Sequence, residues 1–287
     1  MPTVTVRMGG AARCAASRRG KDPVARRRKT PSTHLTWLAP LTLAALVLLA
    51  WWLATTLQSV QPWVFPTPAA FLTRLLDLLG QGWMWQRIAV TVGEALVGAA
   101  LGTAVGLPLA WGIYNSEFVR AGVEPFLGAT QAIPAIAIAP LLALWMGNGF
   151  APIVTLCALI TFFPVLVSTT VGLRQMDREV LDAAALDGAS GWAMVRYIEV
   201  PLAAPAMLAG IRNGFALSVT GAIVGEMVMG GEGLGQVLTQ QRYNLDTAGM
   251  FVTVGLLSTL AMLLYTMIYA LERRARREVT ARVVSKN

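Results

Sequence analysis

The sequence predicts an all-α integral membrane protein of about six transmembrane helices, on three observations. Its 287 residues are 55% hydrophobic and only 13% charged, against about a quarter charged in an ordinary soluble domain. The apolar residues gather in runs approaching the roughly 20 residues a helix needs to cross a bilayer. The basic residues crowd the chain ends and the short connections between those runs. Lipid accepts only backbone whose polar groups are satisfied internally. Runs such as LTLAALVLLAWWLA at 41–54 lack the polar–apolar alternation of a β-barrel strand, so helices are the expected solution.

Taken in order, residues 1–34 are basic, small and polar, and predict a disordered basic cytoplasmic tail. A first transmembrane helix covers residues 35–57. Pro62–Gln86 is partly amphipathic and carries Trp63, Trp83 and Trp85, which suit a membrane interface. Five further spans are expected within residues 62–274: Arg87–Tyr114, Val123–Met146, Ile153–Leu173, Leu202–Met229 and Thr247–Leu271. Residues 275–287 form a basic cytoplasmic tail.

Basic residues set the orientation. With the N-terminus inside, nineteen Lys and Arg fall in inner segments and three, Arg74, Arg87 and Arg242, in outer ones. The positive-inside rule then puts both termini of a multi-pass membrane protein in the cytoplasm. A basic soluble chain could bind nucleic acid, but here the clusters flank apolar spans, so membrane lipid is the expected partner and nucleic acid is not.

The spans carry internal signals. Gly98, Gly102 and Gly106 bare one face of the second, and Gly210, Gly214, Gly221 and Gly225 do so in the fifth. Small residues at this spacing let helices approach closely, within one subunit or against a second copy. Pro134 and Pro140 should bend or break the third span, as a simple kink or as part of a pathway-lining helix. Glu94, Arg212 and Glu226 lie inside spans, where an isolated charge facing lipid costs at least about 2.5 kcal/mol. They satisfy one another or the backbone, or Arg212 and Glu226 belong to a translocation path along the third and fifth spans, with Glu226 near its outer mouth.

Asp177–Pro201, DREVLDAAALDGASGWAMVRYIEVP, interrupts the apolar pattern. Asp177 can cap a helix, with Val180, Leu181 and Ala184 on one face. Gly188 can end it in the left-handed conformation. Ser190 can cap a second helix, with Met194, Val195 and Ile198 on one side. Pro201 closes that helix or sits in the first turn of the next span. The expected product is a helix–turn–helix knob on the cytoplasmic side.

This segment resembles the cytoplasmic loop of permease subunits of bacterial ATP-binding cassette importers. The family motif is Glu-Ala-Ala, three residues, Gly, nine residues, Ile, one residue and Leu-Pro. Here Asp182-Ala183-Ala184, Gly188, Ile198 and Val200-Pro201 keep every spacing, with Asp for Glu and Val for Leu. The resemblance runs from about Val64 to Arg274. Val64-Phe65-Pro66-Thr67-Pro68, AIPAIAIAPLLALWMGNG and VGEMVMGGEGLG are similar to the nitrate, sulfonate and taurine branch, which includes carriers of thiamine-precursor pyrimidines and of riboflavin. It implies a type I importer permease fold with a cytoplasmic coupling helix and an ATPase-docking role for Asp182, Ala183, Ala184, Gly188, Ile198 and Pro201. It implies a homodimer with a second permease copy, a cytoplasmic ATPase using ATP and Mg, and an extracytoplasmic substrate-binding protein. The substrate would be a small anion or a heterocycle.

No catalytic set or metal site is expected in the chain itself. A phosphate-binding loop needs a lysine after Gly-x4-Gly, and Lys21, Lys29 and Lys286 have no such setting. His34 is the single histidine, and Cys14 and Cys157 make neither a disulfide framework nor a metal site. An ion-coupled secondary transporter is the alternative, and it would show internal repeats that the sequence lacks.

Overall fold

A computed structural model describes residues 33–57, 64–131 and 134–284. The chain divides into two units, residues 1–50 and 51–287, each considered by itself. The helices are α1 (Thr33–Thr56), α2 (Pro68–Gly80), α3 (Gly82–Asn115), α4 (Glu117–Gln131), α5 (Ala135–Met146), α6 (Phe150–Arg174), α7 (Arg178–Leu186), α8 (Gly191–Met194), α9 (Val200–Met229), α10 (Leu234–Tyr243) and α11 (Thr247–Val284), with a five-residue π-helical turn, Val195–Glu199, between α8 and α9. There is no strand among the described residues. Most of the tail expected at 1–34, and Trp63, lie outside the described residues.

Among the described residues, four helical segments are long and apolar enough to cross a membrane: Gly82–Asn115, Phe150–Arg174, Gly191–Met229 and Thr247–Ala270. Shorter apolar helices, Ala45–Thr56 and Ile136–Met146, accompany them. The third expected span is not one helix. It is divided into α4 and α5, and Pro134 is extended (φ −64°, ψ 120°) ahead of α5, because proline lacks the donor that would join it to a preceding turn. The sixth span overruns its expected end. Instead of a separate tail from residue 275, α11 continues to Val284, since no Gly or Pro occurs between Leu256 and Val284 to stop it.

The core sits around α6, which packs against α3 on one side and α9 on the other. Both bare glycine faces turn toward it. A Cβ at Gly98 would stand 2.8 Å from the Val154 carbonyl, one at Gly210 2.9 Å from the Pro164 carbonyl, and one at Gly214 2.7 Å from Thr161 Cγ2. The stripes therefore pack within the subunit. Ile153, Leu156 and Cys157 of α6 are buried with Ala95 of α3 and Val219, Ala222 and Met229 of α9. Lipid supplies no hydrophobic drive between helices, so close packing and interhelical hydrogen bonds hold them. Ser218 Oγ donates to the Ala95 carbonyl at 2.7 Å and Thr161 Oγ1 to the Gly214 carbonyl at 3.1 Å. Leu101, Val105, Leu144, Trp145, Met262 and Leu263 remain exposed, as expected for helices sided by lipid or another subunit.

The bundle has two distinct ends. The start of α3 and the end of α9 meet α10 at one, where Arg74 of α2 pairs with Asp246 ahead of α11 at 2.6 Å. The carboxylate also accepts from Arg74 Nε, and this hydrogen bond raises the pKa of the guanidinium further. Phe65 packs between Trp51 and Phe251 there, so the proline-rich stretch before α2 is anchored. The other end carries the polar segment.

Candidate functional site

Asp177–Pro201 lies where the end of α6, the end of α3 and the start of α9 come together. Leu173, Met176 and Ala203 are buried there, packed by Trp111, Tyr114, Leu181 and Met207. Asp177 caps α7, its Oδ1 accepting from the Glu179 N–H at 2.9 Å. The far end of α7 closes with paired backbone hydrogen bonds, Gly188 N–H to Ala185 O at 3.0 Å and Ala189 N–H to Ala184 O at 2.9 Å. This pair defines a Schellman cap, whose turning residue must be left-handed. Gly188 is that residue, with φ +91°.

Asp182 and Ala183 are exposed on α7, and Ala184 is half-buried. Leu186 at the tip is 90% exposed and Trp192, past the turn, 73%. An apolar knob in water is costly to leave bare, so this end of the molecule presents a surface suited to a partner.

The second half departs from expectation. Ser190 stands at the N-cap of α8 but makes no side-chain cap hydrogen bond, and Gly191 takes a second left-handed turn (φ +55°) that the sequence reading missed. Of the two places expected for Pro201, the structure takes the second, the first turn of the next span, and the proline does not close α8. The helix runs on through the π turn into α9, with Pro201 in the first turn. Proline cannot donate back along the helix, and the helix widens just ahead of it, Val200 N–H reaching Val195 O. Met194, Val195 and Ile198 share a half-buried side. Glu199, also missed, is buried and accepts from Trp111 Nε1 at 3.1 Å. The only signal for it was its place beside Val200-Pro201.

The four residues assigned to a path are not gathered. Pro134, just ahead of α5, and Pro140, within it, are both exposed. Arg212 is half-buried in α9, its guanidinium 4.9 Å from the Tyr265 ring centre and 5.2 Å from that of Tyr269. Glu226 is fully buried. It accepts from Thr91 Oγ1 at 2.7 Å and from the Gly235 N–H at 2.5 Å. Thr91 Oγ1 in turn accepts from the Leu234 N–H at 2.8 Å. Glu94 is buried beside Glu226, and its Oε2 has no hydrogen-bond partner among the described residues. Glu226 thus presents no surface in this subunit.

A bundle of long apolar helices with a capped polar knob at one end defines a membrane subunit that works through a partner. The chain belongs to the family of binding-protein-dependent transport system inner membrane components, which matches residues 102–277. It is the permease subunit of an ATP-binding cassette importer, an inner membrane component. The family comprises membrane subunits that are not themselves enzymes, and the ATPase is a separate subunit. A riboflavin transport permease of Chloroflexus aurantiacus is 38% identical over 234 residues, 82% of this chain and 87% of that one. A taurine transport permease of Escherichia coli is 28% identical over 259 residues, 86% and 94% of the two chains. The fold is similar to an inward-facing structure of the methionine transporter MetNI, at TM-score 0.59 and 19% identity, over 67% of this chain and 95% of that one.

Proposed function

We propose that this subunit carries a nitrogen heterocycle of the riboflavin class across the membrane by alternating access, as a homodimer. The greater likeness to the riboflavin permease than to the taurine permease supports the heterocycle over a small sulfonate. Few fixed charges lie in the spans, so the extracytoplasmic binding protein selects the solute. Both termini and α7 face the cytoplasm, where basic residues concentrate.

The observation that carries the mechanism is the continuity of α8, the π turn and α9. A push on the capped α7 knob reaches α9 through Gly188 and one unbroken helix. Asp182, Ala183, Ala184, Gly188, Ile198 and Pro201 form the ATPase-docking segment. ATP and Mg bind between two ATPase subunits, whose closure brings the knobs of the dimer together and opens the spans outward; hydrolysis resets them. The path runs along α5 and α9, with Pro134, Pro140 and Arg212 on its side and Glu226 fixing α10 from behind. Glu226→Gln at normal membrane levels should therefore keep normal uptake, and a loss of uptake would return Glu226 to the path.

The test is co-purification with the ATPase. Gly188→Asp puts a Cβ on a left-handed residue and breaks the Schellman turn, so the wild type should capture the ATPase and the variant should not. A wild-type permease that captures no ATPase overturns the docking role. Uptake of riboflavin by cells carrying the complete transporter, competed by flavins but not by taurine, supports the substrate class; competition by taurine alone reverses it.

A further inference from the structure

A cavity of about 360 Å³ lies at the α10 end of the bundle, walled by α2, the first turns of α3 and the side of α10. Gln236, Gln240 and Asn244, the last at the C-cap of α10, line it. They stand four residues apart, so their amides form a ladder along one face of the helix. No hydrogen bond engages these three side chains among the described residues. Val237 and Gln241, on the adjoining face, are buried, and Gln241 Oε1 accepts from Thr253 Oγ1 at 2.8 Å. Leu78 of α2 and Trp83 of α3 complete the wall. Trp83 is 43% exposed, and its indole N–H donates to Gln81 Oε1 at 2.6 Å. The charged lining groups are already engaged: Arg74 pairs with Asp246 at 2.6 Å, and Arg87 donates to the Glu232 carbonyl at 2.6 Å.

Each amide offers one acceptor oxygen and two donor N–H groups. A row of neutral amides matches a ligand edge on which C=O and N–H alternate, as in a cyclic amide or imide. An anion presents acceptors only and would leave the amide oxygens unused. The volume lies in the range of small-molecule sites and is more than a two-carbon sulfonate fills. An indole in the wall of such a cavity can stack a planar ring. The support is rigid. Thr91 and Glu226 cap the first N–H groups of α10, and the Arg74–Asp246 pair ties α2 to the start of α11. Side chains carried on a braced helix hold a ligand geometry better than those on a loop.

We propose that this cavity holds the solute at the outer face of the subunit: a neutral planar heterocycle with a cyclic amide or imide edge, stacked on Trp83 and hydrogen-bonded by Gln236, Gln240 and Asn244. The site rests on the outward placement of α10 and on the heterocycle reading given above. It supplies a contact with the solute that the spans, with few fixed charges, do not. The binding protein still selects, and the cavity keeps what it releases beside the bundle until the spans open.

The permease–ATPase complex, in nanodiscs and without its binding protein, is dialysed against labelled riboflavin, and flavin fluorescence is read in the same samples. The wild type should hold riboflavin saturably and quench its fluorescence, as stacking on an indole does. Gln240→Ala with Asn244→Ala should weaken the holding about thirtyfold, and taurine should not compete. Trp83→Leu should relieve the quenching and weaken the holding several-fold. All three positions are exposed, so the variants should unfold at the wild-type temperature. Arg120→Gln, at the start of α4 and the opposite end of the bundle, should match the wild type. Equal holding by wild type and the double amide variant overturns the site. Holding that taurine displaces overturns the heterocycle and makes a small anion the occupant. An amide variant that loses the binding protein but keeps riboflavin overturns the solute and makes that protein the occupant. Riboflavin uptake by cells carrying the complete wild-type transporter separates the site from the substrate reading. Uptake without holding strikes the site alone; neither uptake nor holding strikes the substrate class and the site with it.

Discussion

Gly233 precedes α10 with no side chain to cap it, and the first N–H groups of a helix need partners. The hydroxyl of Thr91 takes the Leu234 N–H and the carboxylate of Glu226 takes the Gly235 N–H, so α3 and α9 together cap α10. The glycines around it follow from this. A Cβ at Gly233 would run into Glu226 Oε1 and Thr91 Oγ1, and one at Gly231 would stand 2.7 Å from Glu226 Cγ. Glu226→Ala leaves a buried N–H unsatisfied and should cost about 1–3 kcal/mol, read as a lower unfolding temperature in detergent. Thr91→Val strands the Leu234 N–H and should fall in the same range. Gly233→Ala should destabilise too, although it removes no polar group. None of this cap was legible in the sequence, because Thr91 and Leu234 are 143 residues apart. The cap on α7 was legible, because Asp177 and Gly188 act on their own helix. Ser190 had the right residue type in the right place and still makes no cap hydrogen bond, and propensity alone could not separate the two cases.

At the scale of helices, α6 is the common neighbour of two glycine-notched partners. Its Thr161 sits under Gly214 with a hydrogen bond, and its Ser168 and Pro164 under Gly210. Gly214→Val would push two methyls into Thr161 and Val165. Overpacking of this kind costs about 1–3 kcal/mol, and the loss should appear in thermal unfolding of the permease without its ATPase. An equal stability for the variant would mean that α6 and α9 sit farther apart than 2.7 Å from a Cβ to Thr161 Cγ2 implies. The stripes were readable as close-packing faces from spacing alone, but not which helix they meet, since α3, α6 and α9 are brought together only by the fold. The division of the third expected span into α4 and α5 was foreshadowed by Pro134, whose chemistry forbids one hydrogen bond wherever it stands. Pro201 shows the limit of that logic: in the first turn of a helix a missing N–H removes little, and α8 passes through it into α9.

Across the whole molecule, the two ends of the bundle make the membrane orientation testable. The proposed orientation, from nineteen basic residues against three, has α7 inside and α10 outside. Leu186, 90% exposed at the tip of α7, and Leu245, 86% exposed after α10, mark the opposite ends. The native thiol within the spans, Cys157, is fully buried, and Cys14 is replaced by Ser as background. In spheroplasts, a membrane-impermeant maleimide should label Leu245→Cys at once and Leu186→Cys only after the membrane is permeabilised. The reverse pattern would turn the molecule over, placing the capped knob outside, where no ATPase could reach it. The experiment therefore bears on every cytoplasmic assignment together. Charge counting makes this prediction without the structure, because it depends only on residue totals in short connections and not on which helix touches which.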